Sequence, residues 1–219
     1  MFLPLVLLLA GYLLGSIPAG YLAGRWLRGL DIRQQGSGST GATNVLRVVG
    51  KGPALVVLLV DVLKGTAAVL LARMVLSPLD GGGSASWSSD SWVVAAGLAA
   101  LAGHIWPVWL GWRGGKAVAT ALGMLLGLAW PVGLACLGVF LAMLTVSRIV
   151  SLSSVTAALA LPLLMLGWFQ DQGVGLRWPY LALALLTSAL VIWRHRSNMA
   201  RLLAGSEPRL GQGRPDASA

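Results

Sequence analysis

Long apolar runs separated by short polar breaks dominate the chain. A helix needs about 20 apolar residues to cross a bilayer, because hydrocarbon offers its backbone groups no partner except each other. Seven segments approach that length: residues 2–23, 53–76, 92–110, 117–130, 132–147, 153–169 and 178–193. The fourth and fifth come from one long run divided at Pro131 into two short helices joined by a tight turn; left undivided, it gives six spans. The N-terminal run has no charged n-region and continues past Gly15, so it reads as a retained first span rather than a cleaved signal.

Charge placement chooses between the two counts. With seven spans, residues 24–52, 111–116, 148–152 and the tail from Arg194 share one side. That side carries Arg25, Arg28, Arg33, Arg47, Lys51, Arg113, Lys116, Arg148, Arg194, Arg196, Arg201, Arg209 and Arg214, thirteen of the sixteen basic residues. The opposite breaks, 77–91 and 170–177, hold Asp80, Asp90 and Asp171 against Arg177 alone. By the positive-inside rule the N-terminus lies outside and the C-terminus in the cytoplasm. Six spans would put the last basic clusters outside. The predicted fold class is therefore an all-α polytopic membrane protein with seven transmembrane helices and one domain over residues 1–219.

Composition agrees with this. Of 219 residues 57% are hydrophobic and 11% charged, too few ionic groups to cover a water-facing surface, which excludes a cytosolic enzyme or a nucleic-acid-binding arm. The lone Cys136 lies in an apolar stretch and reads as a packing residue. The Gly/Ser-rich stretch at 81–91 reads as a loop without chemistry.

Chemistry concentrates in the basic breaks. The first holds Gly36-Ser37-Gly38-Ser39-Thr40-Gly41-Ala42-Thr43-Asn44, with Arg47 three residues on. Glycines interleaved with hydroxyls permit close backbone approach and can converge on an anion. Taken alone such a run reads as a turn; its place on the basic face makes it a candidate phosphate cradle. The second holds Trp112-Arg113-Gly114-Gly115-Lys116 ahead of a helix, where free amides, a positive helix end and an ammonium group each favour an anion. Arg113 by itself reads as a stop signal. His104, at the end of a span, is either a ligand group or a core histidine. Asp61 and Lys64 share one face of the second span and read as a pair supporting the site. Arg148 with Ser151, Ser153 and Ser154, and the tail with His195, Asn198, Arg201 and Glu207, complete four segments that one converging site would explain. The competing explanation is a basic face solvated by anionic lipid. Paired carboxylates, a His-Glu-x-x-His sequence and a His-x4-Asp signature are all missing, so neither a metal, a cofactor nor a histidine–aspartate base is expected.

Five stretches together are specific: GSIPAGY at 15–21, GSGSTGATNVLR at 36–47, DVLKG at 61–65, GHIWPVWLGWRGGKAVAT at 103–120 and HRSNMARLLAGSEPRLG at 195–211. Over nearly its whole length the chain resembles the PlsY family of bacterial acyl-phosphate-dependent glycerol-3-phosphate acyltransferases. The resemblance implies a seven-helix enzyme of the bacterial inner membrane, with its site on the cytoplasmic face. It implies transfer of a fatty acyl chain from acyl phosphate to the 1-hydroxyl of glycerol 3-phosphate, giving lysophosphatidic acid and phosphate. It also implies an acyl-phosphate-producing partner at the cytoplasmic face. By similarity Ser37, Arg47, Lys116 and His195 are the catalytic candidates. Gly36, Gly38, Ser39, Thr43, Asn44, His104, Gly114, Gly115, Ser151, Ser153 and Asn198 are substrate-binding candidates, and Asp61, Lys64 and Glu207 support them. Ser39 stands where Asn is commoner in the family, Arg113 where Lys is, and Ala117 where Gly is. A phosphate dianion has a second pKa of about 6 by analogy with phosphorylated side chains, so the substrate itself can take the glycerol proton. The alternative function is a transporter for an organic phosphate, which would place its site near the membrane midplane.

Overall fold

The computed structural model describes residues 2–80, 87–171 and 178–211; residues 81–86 of the Gly/Ser-rich break, 172–177 with Arg177, and Arg214 lie outside them. Among the described residues there are ten α-helices and no strand. In chain order they are α1 Phe2–Gly15, α2 Ala19–Arg28, α3 Ala42–Val48, α4 Lys51–Leu76, α5 Trp87–Ile105, α6 Val118–Leu128, α7 Trp130–Ser147, α8 Val150–Asp171, α9 Trp178–Arg194 and α10 Arg196–Leu203. Among the described residues five stretches are long and apolar enough to cross a membrane: Phe2–Arg28, Lys51–Leu76, Asp90–Leu110, Trp130–Ser147 and Val150–Asp171. The apolar helices α6 and α9 are shorter. At 11 residues α6 rises only about 16 Å, roughly half the hydrocarbon thickness. The helices leave Leu and Val outward, among them Leu59 and Leu63 on α4, Val146 on α7 and Leu163 on α8, all more than half exposed.

Small residues bring the helices together. A Cβ at Gly15 would enter the Ala100 backbone of α5, and one at Gly123 of α6 would enter the Val62 carbonyl of α4. Close approach of this kind replaces the hydrophobic drive that is absent between helices in lipid. The packed centre is formed by Leu101, Ile105, Met124, Met165 and Leu183.

Where helices break, side chains from elsewhere take the freed backbone groups. The division at Pro131 is present: Ala129 leaves helical geometry and Pro131 sits in the first turn of α7. Arg73, from α4, donates to the carbonyls of Gly127 at 2.9 Å and Leu128 at 3.1 Å, closing the C-terminus of α6. The first apolar segment differs from its expectation as one helix over 2–23. It breaks at Ser16–Pro18, because Pro18 has no N–H to continue the ladder. The freed Ile17 carbonyl accepts from Lys64 Nζ at 3.1 Å. Within α8, Pro162 removes the N–H that would bond the Ala158 carbonyl, and Ser188 of α9 donates to that oxygen at 2.6 Å.

Candidate active site

The first basic break folds around Asn44. Gly36 and Gly38 turn the chain with φ of 59° and 69°, in the left-handed region that favours glycine. A Cβ on Gly36 would collide with Asn44 Oδ1. Asn44 is 1% exposed; its Oδ1 accepts from Ser37 N at 2.9 Å, and its Nδ2 donates to the carbonyls of Ile32, Gln35 and Ser39 at 3.1, 3.0 and 2.9 Å. Its amide thus holds the loop in shape, while Asn44 remains one of the residues facing the cavity. Ser39 Oγ accepts from Gly41 N at 3.3 Å. The loop is tied to the second break by Arg33, which pairs with Asp31 at 2.7 Å and donates to the Leu110 carbonyl at 2.8 Å.

The Gly114-Gly115-Lys116 segment also departs from expectation. The N–H of Gly114 donates to the Ile105 carbonyl and that of Gly115 to the His104 carbonyl, each at 3.1 Å, so the two amides are used against the end of α5 and are not free for an anion. Arg194 donates to the carbonyls of Gly115 at 3.1 Å and Gly114 at 3.3 Å. A Cβ on Gly115 would land on His104 Nε2. The glycines therefore let the loop lie against His104 and project Lys116. Beneath the loop lies a buried chain: Lys64 Nζ is 2.7 Å from Asp61 Oδ1, which is 3.4 Å from His104 Nδ1.

The tail closes the far side. Glu207 Oε1 accepts from Ser151 Oγ at 2.7 Å and Asn198 Nδ2 at 2.6 Å, and Oε2 from Arg201 Nε at 2.8 Å. Lys116 Nζ donates to Asn198 Oδ1. His195 Nδ1 lies 2.7 Å from the Val191 carbonyl, which fixes the proton on Nδ1 and leaves Nε2 as an acceptor. Leu210 N donates to the Arg148 carbonyl at 2.7 Å, pinning the tail to the turn between α7 and α8.

These segments surround one cavity of about 440 Å3. Ser37, Ser39, Thr43, Asn44, Arg47, Asp61, His104, Lys116, Ser151, Ser154, His195, Asn198 and Glu207 line it, while Leu122, Leu125, Cys136, Leu137, Phe140 and Leu161 give it an apolar lobe. Gly36, Gly38, Gly114 and Gly115 shape the walls without lining it. Ser153 turns away and donates to the Ile149 carbonyl at 2.9 Å; Ser154 lines the cavity in its place. Burial lowers the Lys116 ammonium from its usual 10.5 to about 8, against the pull of Glu207 and with further lowering from Arg201, Arg194 and Arg47. Burial likewise takes His195 down to about 4, against the bond to Val191, so this imidazole is neutral at physiological pH. Burial raises the Glu207 carboxyl, but the bonds from Asn198, Ser151 and Arg201 outweigh it and hold the group below the usual carboxylate range. The cavity thus sets two cations, Arg47 and Lys116, among hydroxyls beside an apolar lobe.

A family model described as glycerol-3-phosphate acyltransferase matches residues 5–205. The chain belongs to the glycerol-3-phosphate acyltransferase family. It is 64% identical to a glycerol-3-phosphate acyltransferase of Synechococcus sp. (strain CC9902), covering 95% of this chain and 96% of that one. It is 65% identical to one of Prochlorococcus marinus (strain MIT 9313), covering 95% of each. Among solved structures it is similar to PlsY (YgiH), an integral membrane glycerol 3-phosphate acyltransferase, in its glycerol 3-phosphate form. That match has 38% identity and a TM-score of 0.81, over 95% of this chain and 96% of that one. The lysophosphatidic acid form of PlsY matches with a TM-score of 0.78 at 38% identity, over 95% of each chain. The alternative of an organic-phosphate transporter finds no support among these glycerol-3-phosphate acyltransferases.

For this member of the family the sequence did not single out Arg33 and Arg194, which appeared only as basic residues facing one side. Each spends its guanidinium on backbone carbonyls of a site loop. The local sequence carries no sign of such clamps, because both partners are distant in the chain. Thr187, on the cavity wall, was also passed over as part of an apolar helix.

Proposed function

We propose that this acyltransferase moves a fatty acyl chain from acyl phosphate to the 1-hydroxyl of sn-glycerol 3-phosphate, releasing phosphate and lysophosphatidic acid. The observation that carries this reading is the two-part cavity: a cationic, hydroxyl-rich region continuous with an apolar lobe suits an anionic headgroup joined to a hydrocarbon chain. Arg47, Lys116, Ser37 and Thr43 would hold the phosphates, with His195 Nε2 and Asn198 near the glycerol. The attacking hydroxyl gives its proton to the departing phosphate, the C–O bond to glycerol forms and the carbonyl carbon–phosphate oxygen bond breaks. A neutral imidazole with a pKa near 4 is a weak base at physiological pH. A phosphate dianion with a second pKa of about 6 is better matched. The protein then contributes positioning and charge stabilisation, and needs no resident cofactor. Seven crossings of the bacterial inner membrane, with the N-terminus outside and the site facing the cytoplasm, follow from the charge asymmetry of the breaks. A cytoplasmic acyl-phosphate synthase would supply the donor.

The test is phosphate release by the purified protein in lipid, with palmitoyl phosphate and with or without glycerol 3-phosphate. Release that requires glycerol 3-phosphate, yields lysophosphatidic acid and falls about 10- to 100-fold in kcat/KM in Lys116→Ala is expected, the loss of one charged hydrogen bond. No release across several acyl lengths from folded protein sinks the reading. In the same assay His195→Gln should raise KM for glycerol 3-phosphate and keep the pH profile of turnover; loss of the acidic limb would make His195 the base.

A further inference from the structure

Many hydroxyls on the helices of this protein find partners. Ser153, Ser154 and Thr156 of α8 and Thr66 of α4 each donate to the carbonyl four residues back, and Ser188 of α9 crosses to α8. Among the described residues the buried hydroxyls of Ser16, Thr120 and Thr187 have no partner, and of these three the one on the wall of the large cavity is Thr187. It is 1% exposed, lines the cavity, and its Oγ1 has no hydrogen-bond partner among the described residues. A buried hydroxyl without a partner is costly. Such an atom on the wall of a ligand cavity is explained by a ligand that completes it.

Its depth says which part of the ligand. Thr187, Val191 and His195 follow one another at four-residue intervals on α9, and all three line the cavity. Eight residues of helix place Thr187 about 12 Å inward from His195, the reach of roughly nine extended methylenes. The apolar part of the lining includes Ala158 and Leu161 of α8, the helix packed against α9, and Cys136 and Leu137 of α7.

Resting on the acyl-phosphate reading of the cavity, we propose that the Thr187 hydroxyl is a specificity element that donates to a hydrogen-bond acceptor partway along the acyl chain. That acceptor is the π face of a mid-chain cis double bond or an oxygen substituent at the same depth. A saturated chain leaves the hydroxyl orphaned; a chain with the acceptor at the right carbon does not.

The experiment is competition in vesicles between saturated sixteen-carbon acyl phosphate and variants of the same length. Three carry a cis double bond near the carboxyl end, at mid-chain or near the methyl end, and a fourth carries a mid-chain hydroxyl. Wild type should favour at least one mid-chain variant by about two- to fivefold, the size of one weak hydrogen bond, over both displaced double bonds. The two mid-chain arms tell alkene from oxygen. Thr187→Val should bring that preference to about one, and Thr187→Ser should keep it. A flat positional series in wild type overturns the proposal, as does an unchanged preference in Thr187→Val. If the valine variant does not fold, the wild-type series and the serine variant still decide. Turnover of the saturated chain without positional preference defeats this inference alone, whereas absence of all acyl-phosphate turnover defeats the proposed function with it.

Discussion

In the proposed function Lys116 holds a substrate phosphate, and its burial makes its charge pH-sensitive within an accessible range. Below about 8 the amine is protonated and attracts phosphate; above it the free enzyme loses one positive charge. The kcat/KM for glycerol 3-phosphate should therefore decline as pH rises through about 8. Lys116→Arg should move that limb beyond the measurable range, because a guanidinium stays charged. A pH profile of both proteins checks this. Next to it, Ala117 has φ of 60°, a left-handed conformation in a residue with a Cβ. Ala117→Gly should stabilise the folded protein by about 1 kcal/mol, read as a higher melting temperature in detergent. The sequence identified Ala117 as a departure from a family glycine but gave it no consequence, since backbone dihedrals are not written in residue type. Lys116, Ser37, Arg47, His195 and Asn198 were legible as cavity-lining residues because polar side chains are conspicuous against apolar spans. That Asn44, Gly114 and Gly115 act on the backbone was not, because it depends on which carbonyl each group meets.

At the scale of elements, the Pro162 gap in α8 and the Ser188 hydroxyl of α9 form one unit. Ser188→Ala should leave the Ala158 carbonyl unpaired and cost about 1 kcal/mol of stability. Pro162→Ala restores the helical N–H, so the double variant should lose much of that penalty; thermal unfolding of the four proteins measures the coupling. Additive effects would show that Ala158 does not need Ser188. The turn at Pro131 was legible because charge balance on the later breaks demanded an extra crossing. The break at Pro18 was not, because residues 2–23 are almost uniformly apolar and Pro18 leaves no trace in hydropathy. Its stabilising partner, Lys64, lies 47 residues away on another helix.

Across the whole molecule, four segments separated by helices meet at one cavity. Their common side followed from counting Lys and Arg, but the binding surface did not, since hydropathy is blind to which helices are neighbours. The break of α1 from α2 and the charged pair on α4 also bear on how the chain enters its membrane. Presented alone to the insertion machinery, α4 would bring Asp61 and Lys64 into hydrocarbon at about 5–7 kcal/mol for the two. Lys64 spends a hydrogen bond on the Ile17 carbonyl, a group already synthesised, while His104 reaches Asp61 only after α5 has followed. The order of synthesis thus matches the order of partners: the bent first segment offers Lys64 an acceptor as soon as α4 is made, and α5 then brings His104 to Asp61.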